Sequence, residues 1–310
     1  MARRFTLTPS APFQLSASAE FFRGFTPASG TATDAKDALL LALRADKTFA
    51  PVAVALRQRG ELLEGELFGE ADTATVKAQV ARVLSLDVDG SGWMALGKRE
   101  PVVGALQRAH PGFLPVCFPS PYEAAIWGVL AQRINMKQAA ALKKKLAAEH
   151  GDSVTTPFGD VAVTPSPTQL LAVKSVKGIP EEKLTRLHAV AHAAAKGLLD
   201  AERLRGMDQE AALKELEEIR GVGAWTAEHV LMRGAGLADA LPSAEPRVLR
   251  GVQQAYGLKK EPTQKEYEAL AENWRPYRMW VCILAVRELA KTPGWHGRAN
   301  RGKRVVAART

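Results

Sequence analysis

The spacing of hydrophobic and polar residues changes at about residue 96. Before that point, apolar residues alternate with polar ones, as at Phe5 and Leu7, and this alternation is typical of short, half-buried strands. Strands are predicted around residues 5–7, 13–15, 39–44, 52–59 and 62–68, the last two as a hairpin, and helices at 16–25 and 73–84. Residues 1–95 are therefore predicted to form an N-terminal antiparallel sheet domain with covering helices, whose role is packing.

Beyond this point apolar residues recur every three or four positions, and Pro- and Gly-containing loops separate the runs, which indicates helices. The longest loop is predicted at residues 151–167. The last helix carries a stripe that is predicted to be buried, formed by Met279, Ile283, Val286 and Ala290. Helices are predicted at residues 99–109, 121–133, 136–150, 167–173, 181–197, 204–220, 248–256, 263–274 and 276–291. The fold class is therefore mainly α with an N-terminal α+β domain.

One stretch, LEEIRGVGAWTAEHV at residues 216–230, stands out within the helical part. Two helical runs flank Gly221-Val222-Gly223. The glycines permit a tight turn with open backbone N–H groups, and the positive N-terminal end of the next helix points to the same place. This arrangement predicts a cradle for an anion, and nucleic acid is the most abundant polymeric anion in a cell.

Charge and composition agree with a polyanionic partner. The 310 residues carry a net charge of +9, and the pI is about 9.6, which favours binding to nucleic acid. Residues 296–310 contain five arginines and lysines and no acid, so they supply +5 of this charge. They are predicted to form a basic, disordered tail, either merely solubilising or an aid to binding.

Cysteine usage and hydropathy exclude several classes of protein. Two cysteines, Cys117 and Cys282, cannot build a disulfide framework or a four-thiolate cluster, which fits a reducing cytoplasm. The two arginines near the N-terminus are not followed by an apolar segment, so no signal peptide is expected. No run approaches the roughly 18 apolar residues that a membrane helix needs.

The candidate chemistry has two interpretations at each position. Aromatic residues near the hairpin or at helix starts either pack in the core or stack on a base; they are Trp225, Tyr122, Tyr277 and Trp280. His229, one turn after Trp225, is either a hydrogen-bonded core residue or part of a site. His188 and His192 lack an HExxH pattern, so a metal site is not expected.

Glu245 is the acid of most interest. It lies past the second hairpin helix in ALPSAEPRVLR, where Arg247 and Arg250 are its nearest charges in sequence. One interpretation is an exposed loop glutamate that pairs with an arginine. The other is a carboxylate directed at the ligand of the hairpin. Sequence spacing leaves both open.

Taken together, these segments resemble the helix-hairpin-helix DNA glycosylases, in particular the bacterial 3-methyladenine DNA glycosylase II type. The resemblance covers about residues 5–292. It rests on an ordered set of motifs at residues 106–133, 177–197, 219–227 (IRGVGAWTA), 239–245 and 273–280 (NWRPYRMW). It implies a bilobal helical bundle at residues 96–295, with the hairpin at 216–230 and the sheet domain at 1–95.

The resemblance also implies roles for individual residues. Glu245 stands at the position of the catalytic acid. The base pocket would contain Trp225, His229, Tyr122, Tyr277 and Trp280. His229 would stack on the base or alter selectivity near neutral pH. DNA would contact the hairpin at Gly221, Val222, Gly223 and Thr226, the loop at Gln132 and Arg133, and the start of the next helix at Arg247 and Arg250. Arg133 would either fill the gap in the duplex or be a surface arginine without that role.

The implied reaction is hydrolysis of the N-glycosidic bond of alkylated purines, of the 3-methyladenine type, in duplex DNA. Relatives with lyase activity carry a lysine at the position of Trp225, and an indole cannot form a Schiff base. The resemblance therefore implies a monofunctional enzyme that acts as a monomer in the bacterial cytoplasm, near the nucleoid. No cofactor, metal or iron–sulfur cluster is expected; a monovalent cation at the hairpin is left open.

The sequence departs from the family at the catalytic acid itself, where Glu245 replaces an aspartate. The charge is kept, but the side chain is one methylene longer, and errors of about 1 Å can cost on the order of 10²-fold in rate. Pro246 also restricts the backbone of Glu245. The alternative function is therefore a catalytically weak or inactive lesion-binding protein of the same fold.

Overall fold

A computed structural model describes residues 3–28, 32–35 and 38–292. The N-terminal part contains a five-stranded antiparallel sheet with the order β1-β5-β4-β3-β2. The strands are β1 Arg3–Leu7, β2 Ala32–Ala35, β3 Ala38–Arg44, β4 Pro51–Arg59 and β5 Leu62–Phe68. Helices α1 Leu15–Gly24 and α2 Thr73–Val83 accompany the sheet. The predicted hairpin of β4 and β5 is confirmed, with Arg59 opposite Leu62.

The remaining chain is mainly helical, which confirms the predicted fold class. The helices are α3 Trp93–Arg99, α4 Pro101–Ala109, α5 Pro121–Leu130, α6 Met136–His150, α7 Pro167–Ala172, α8 Glu181–Ala195, α9 Ala201–Gly206, α10 Gln209–Glu217, α11 Ala224–Glu228, α12 Pro246–Tyr256, α13 Gln264–Glu272 and α14 Arg278–Leu289. Helix α11 continues directly as a π-helix over His229–Gly234.

The structure corrects several predicted elements. The alternation at residues 13–15 is not a strand, because Leu15 begins α1 and its N–H donates to the Gln58 side chain. The loop at 151–167 contains a hairpin of β6 Asp152–Thr156 and β7 Gly159–Val163, which the buried Arg44 anchors through an ion pair with Asp152. Three predicted helices are also shorter or divided: 99–109 breaks before Pro101, 204–220 becomes α9 and α10, and 276–291 begins only at Arg278.

Two large hydrophobic cores form the interior. The first joins the inner face of the sheet with α1–α4 and α12–α14. The second lies among α5–α11 and includes the hairpin residues Leu216, Val222 and Val230. The first core therefore runs across residue 95, because the C-terminal helices return to pack beside the sheet. The basic tail predicted at residues 296–310 lies outside the described residues. Among the described helices, none is long and apolar enough to cross a membrane.

Candidate active site

The hairpin turn joins α10 to α11. Gly221 has a φ of +93°, and a Cβ there would lie 2.7 Å from the Arg186 side chain, so both backbone strain and space require glycine. Val222 is buried in the second core, and its N–H donates to the Ile219 carbonyl. Gly223 is exposed at the N-terminus of α11. The turn therefore presents backbone rather than side chains to solvent.

A second loop lies against this turn, at the end of α5. The Gln132 side chain donates to the Gly221 carbonyl at 2.7 Å and accepts from Arg186 at 2.6 Å. Lys183 donates to the carbonyls of Leu130 and Gln132. The next residue, Arg133, is exposed and has a φ of +61°, a conformation that is costly for a side chain other than glycine. These contacts hold Arg133 on the same surface as the hairpin.

The π-helix that follows α11 carries two further residues of the site. Gly234, at its end, packs so closely on α5 that a Cβ would lie 2.7 Å from the Pro121 Cα. A π-helical turn shifts the direction of the side chains that it carries, and such turns are frequent at functional sites. Here His229 and Arg233 both face the same cavity.

Glu245 lies at the N-terminus of α12, where it forms the N-cap. Its Oε1 accepts from the backbone N–H of Arg247 at 3.1 Å and from Arg247 Nε at 2.7 Å. Its Oε2 accepts from Arg247 Nη2 at 2.6 Å and from Trp225 Nε1 at 3.0 Å. Although burial acts in the opposite direction, these donors and the charge of Arg247 lower the pKa of Glu245 to about 2. The carboxylate is therefore ionised.

The loop before Glu245 is anchored by a second buried carboxylate, Glu228. It accepts from the N–H and hydroxyl of Ser243 at 2.8 and 2.6 Å and from the N–H of Ala244 at 2.9 Å. Tyr267 adds a hydrogen bond to the Pro242 carbonyl. The sequence did not indicate Glu228, because an acidic residue within a predicted helix is expected to be exposed to solvent. In the structure it determines where the chain enters Glu245.

Trp225 and His229 form a stacked pair, with ring centroids 3.9 Å apart and an interplanar angle of 29°. The Trp225 indole thus contacts His229 with its face and Glu245 with its N–H. Burial, reinforced by the charge of Arg233, lowers the pKa of His229 to about 3. His229 is therefore neutral at physiological pH, which corrects the expectation that its protonation would alter selectivity near neutrality.

A cavity of about 440 Å³ opens beside Glu245 and His229, a size suited to a small ligand. Its walls come from four places: the end of α1 with Phe21 and, just beyond it, Phe25; the π-helix; the loop and first turn of α12 around Glu245; and α14. The prediction that Met279, Ile283, Val286 and Ala290 form a buried stripe is confirmed for Met279 and Ile283. Val286 is half-buried, and Ala290, just beyond the end of α14, is exposed. All four line this cavity. The N-terminal domain therefore contributes to the site, although the sequence indicated only a packing role.

Cations lie on the aromatic rings of this cavity. The Arg233 guanidinium lies 5.2 Å from the centre of the Phe25 ring, and that of Arg287 lies 5.5 Å from Phe21. Sequence reasoning missed all four residues. The one local signal was the cluster of phenylalanines at positions 21, 22 and 25 on a short predicted helix.

Three of the residues assigned to a base pocket lie elsewhere. Tyr122 is buried, donates to the Pro165 carbonyl and packs on Phe49. Tyr277 and Trp280 stack on each other, and both contact Trp93 edge-to-face in the first core. None of the three lines the cavity beside Glu245. Their assignment is therefore corrected: each fills a hydrophobic core, where large aromatic side chains bury the most apolar area.

The residues that were predicted to contact DNA differ in their exposure to solvent. Thr226 is 4% exposed and packs against Gly128 on α5, so its side chain does not reach solvent, which corrects its assignment. Arg250 pairs with Glu261 at 2.7 Å on the exposed side of α12. Asp239, at the start of the motif at residues 239–245, accepts from Arg275 at 2.6 Å and Arg278 at 3.0 Å, and it is not among the residues lining the cavity.

No metal-binding constellation occurs in the part of the chain that the structure describes: it contains no cluster of three or more His, Cys, Asp or Glu side chains with suitable geometry. Cys117 and Cys282 are separate, buried thiols. Cys282 contacts the Tyr267 hydroxyl at 3.2 Å, and burial raises the pKa of its thiol to about 12. It is therefore protonated and unreactive at neutral pH.

Several curated proteins are similar to this chain in sequence. No protein-family model matches the chain. A DNA-3-methyladenine glycosylase of Bacillus subtilis is 28% identical over 213 residues, which cover 66% of this chain and 69% of that protein. A probable bifunctional transcriptional activator/DNA repair enzyme AlkA of Mycobacterium tuberculosis is 32% identical over 215 residues; the match covers 68% of this chain and 42% of that protein, less than half its length.

The fold is shared with a solved structure over nearly the whole chain. A 3-methyladenine DNA-glycosylase from Archaeoglobus fulgidus superposes with a TM-score of 0.76 at 18% identity, covering 93% of this chain and 100% of that one. At this identity the likeness concerns the fold alone. It agrees with a bilobal, mainly helical architecture that includes an N-terminal sheet.

Proposed function

Because this chain belongs to the helix-hairpin-helix DNA glycosylases, in the 3-methyladenine DNA glycosylase II type, we propose that it releases alkylated purines from duplex DNA. The reaction is hydrolysis of the N-glycosidic bond, as the first step of base excision repair. The observation that carries this proposal is the ionised Glu245 beside a cavity walled by aromatic rings. An acid and a base-sized aromatic cavity are the two parts that this chemistry needs.

The first step is removal of the nucleotide from the stack. Extrusion costs a few kcal/mol, and stacking and apolar contacts in the pocket offset part of this cost. His229, Phe21 and Phe25 supply ring surfaces, and the α14 stripe supplies aliphatic surface. The neutral His229 ring adds no positive charge against an alkylated base, which is often cationic.

The second step is cleavage of the bond to the sugar. As the bond breaks, positive charge develops on the sugar ring, and a fixed carboxylate close to it stabilises that charge. Glu245 is suited to this role because Trp225 and the Arg247 N–H hold one oxygen each. The departing base is a good leaving group when it is cationic, so no strong general acid is needed.

The same geometry supports a monofunctional reaction. At the start of α11 the indole of Trp225 occupies the space next to Glu245, and it has no amine to attack the sugar. Lys291, at the cavity wall, is paired with Glu288 at 2.6 Å. An abasic site is therefore the expected product. Strand cleavage after base release, or a borohydride-trapped complex with DNA, would contradict this part of the proposal.

The deciding experiment is base release from duplexes that carry alkylated, deaminated or oxidised bases. We expect release of alkylated purines by the wild type and a loss of at least about 100-fold in Glu245→Gln, since the variant lacks the charge that stabilises the transition state. Glu61→Gln, which changes an exposed glutamate in the turn between β4 and β5 of the sheet, is the matched control and should retain wild-type activity. Full activity in Glu245→Gln would remove Glu245 from the mechanism.

One observation favours the alternative of a lesion-binding protein without catalysis: Arg247 engages both oxygens of Glu245. Under that alternative, damaged duplex binds tightly, yet no base is released from any lesion in the panel. We further propose that the protein needs no metal or cluster, acts as a monomer and works on the DNA of the bacterial cytoplasm. Base release that persists in a chelator would support the first point, and a monovalent cation at the hairpin stays a prediction.

A further inference from the structure

Arg247 is placed so that it cancels the charge on which catalysis depends. Its guanidinium forms two parallel hydrogen bonds to Glu245, Nε to Oε1 at 2.7 Å and Nη2 to Oε2 at 2.6 Å. Such a fork-to-fork pair is the strongest arrangement that arginine makes with a carboxylate. While it persists, Glu245 presents little net negative charge to a sugar or a base beside it.

The other charged residues around the cavity do not replace the negative charge that Arg247 neutralises on Glu245. Among the described residues that line the cavity, three are acidic and four are basic. Glu20 pairs with Arg287, and Glu228 is fully occupied by the loop before Glu245. With Arg247 on Glu245, a cationic base would therefore enter a site with a positive balance of charge. This conflicts with the chemistry that the site otherwise supports.

Glu245 does not need the guanidinium to keep its position. Without it, Oε2 still accepts from Trp225 Nε1 at 3.0 Å, and Oε1 still accepts from the Arg247 backbone N–H at 3.1 Å. The two side chains also differ in exposure: Glu245 is 11% exposed and Arg247 is 36% exposed. The guanidinium thus lies on the solvent side, and rotation of its side chain can remove it without moving the backbone.

We propose that a backbone phosphate of the bound duplex takes Arg247 away from Glu245. Arg247 is then a positioning residue that pairs with the carboxylate in the free protein and with DNA in the complex. The guanidinium fork matches phosphate as well as it matches carboxylate. The inference rests on the proposed function, and it means that the charge of Glu245 becomes available only when DNA is present.

Binding to DNA tests the new phosphate contact. The salt dependence of the Kd is measured for wild type and Arg247→Met on a duplex with a tetrahydrofuran abasic analogue, which needs no base release. We expect the slope of log K against log[salt] to become less negative by about one in Arg247→Met. Arg247→Lys, which keeps the positive charge, should have the same slope as wild type. Arg59→Met is the matched control, since Arg59 also pairs with one glutamate, Glu64, but lies on the sheet.

Single-turnover base release tests whether the Glu245 carboxylate is free of Arg247 in the complex with DNA. On DNA containing the cationic lesion 7-methylguanine, with the protein in saturating excess between pH 4 and 6, we expect base release by wild type and by Arg247→Met to fall along the same acid limb. That limb should lie above the pKa of about 2 that Glu245 has in the free protein, because burial, which raises the pKa of Glu245, is then no longer offset by the guanidinium of Arg247. His229, Arg233 and Arg247 face Glu245, and none of them changes charge in this range.

An unchanged salt slope in Arg247→Met would overturn the proposal. So would a variant whose base release is accelerated more than about tenfold with an acid limb moved to higher pH, because Arg247 would then stay on Glu245 in the complex. A loss of more than about 100-fold would overturn it as well, since the guanidinium would be needed at the carboxylate. If the wild type releases no base, the proposed function fails, while the salt slope still decides whether Arg247 contacts phosphate.

Discussion

Trp225 donates its indole N–H to Oε2 of Glu245 at 3.0 Å, across 20 residues of sequence. The tryptophan belongs to the hairpin's second helix, and the glutamate begins α12. One side chain therefore connects the turn proposed to grip DNA with the acid proposed to act on it. Because the indole also stacks on His229, the same residue orients both the acid and one wall of the cavity.

Replacing Trp225 by phenylalanine separates these two roles. Phenylalanine keeps a ring against His229 but removes the donor to Glu245. A hydrogen bond to a charged group contributes about 1.5–3 kcal/mol, so we expect single-turnover base release to fall by about tenfold or more, with little change in the Kd for damaged duplex. A rate equal to that of wild type would show that the indole N–H does not position Glu245.

The extra methylene of Glu245 gives a second prediction. Glu245 reaches Trp225 and the Arg247 N–H at the same time from the N-cap position, and an aspartate there is too short to keep both contacts. We expect Glu245→Asp to lower base release by on the order of 10²-fold, as for a displacement of about 1 Å, although aspartate is the residue found in the family. The measurement is the same single-turnover assay. Activity at or above the wild-type level would mean that the backbone already suits an aspartate.

How far the sequence predicts this site depends on how local each feature is. The glycine turn and the strand Leu62–Phe68 follow from neighbouring residues, and both are where the pattern placed them. The cavity walls do not follow, because Phe21 meets α14 only after the chain has folded back across more than 250 residues. Helical spacing indicates an inward-facing stripe on α14, but it does not distinguish a packed core from the wall of a cavity.

The aromatic residues illustrate the same limit, because residues that were predicted to line a pocket are found in a core. Tyr122, Tyr277 and Trp280 each lie in a predicted helix close to one of the motifs, yet each is buried in a hydrophobic core. Only tertiary packing decides which rings meet a cavity. Likewise, Glu228 is an acid between polar and apolar neighbours in sequence, and its role becomes evident only when Ser243 and Ala244 are placed against it.

The depressed pKa of Glu245 predicts a specific dependence of stability on pH. Its pKa in the folded protein is about 2, against an ordinary value of 4.5. A carboxylate with a lowered folded-state pKa stabilises the fold fully above its unfolded value, and this contribution is lost as the pH falls through the folded value. The stability difference between wild type and Glu245→Gln should therefore be constant from pH 6 to 8 and should shrink below about pH 5.

Urea unfolding at pH 7, 5 and 4 measures this difference. We expect it to be on the order of 2 kcal/mol at pH 7, because the pair is hydrogen-bonded and mostly buried. Glu217→Gln, at an exposed position, is the control for losing one negative charge. A difference that grows on acidification would have the wrong sign and would exclude the ion pair with Arg247 as its cause.

The backbone of Arg133 supplies the last prediction. An exposed arginine at a φ of +61° carries strain of about 1–2 kcal/mol, and strain of this kind tends to persist where function requires it. Glycine at this position would remove the strain but would lose about 0.5–1 kcal/mol to the greater freedom of the unfolded chain. Arg133→Gly should therefore be as stable as wild type, or more stable by up to about 1.5 kcal/mol. Because the side chain is proposed to fill the gap left by the flipped nucleotide, base release from duplex DNA should fall at least about tenfold, with release from a single-stranded lesion unaffected.

Arg133→Ala, which loses the wedge and keeps the strain, should show the same loss of activity without the gain in stability. If both variants release bases from duplex at the wild-type rate, Arg133 is not the wedge, and the gap is filled by another part of the loop that Gln132 holds against the hairpin.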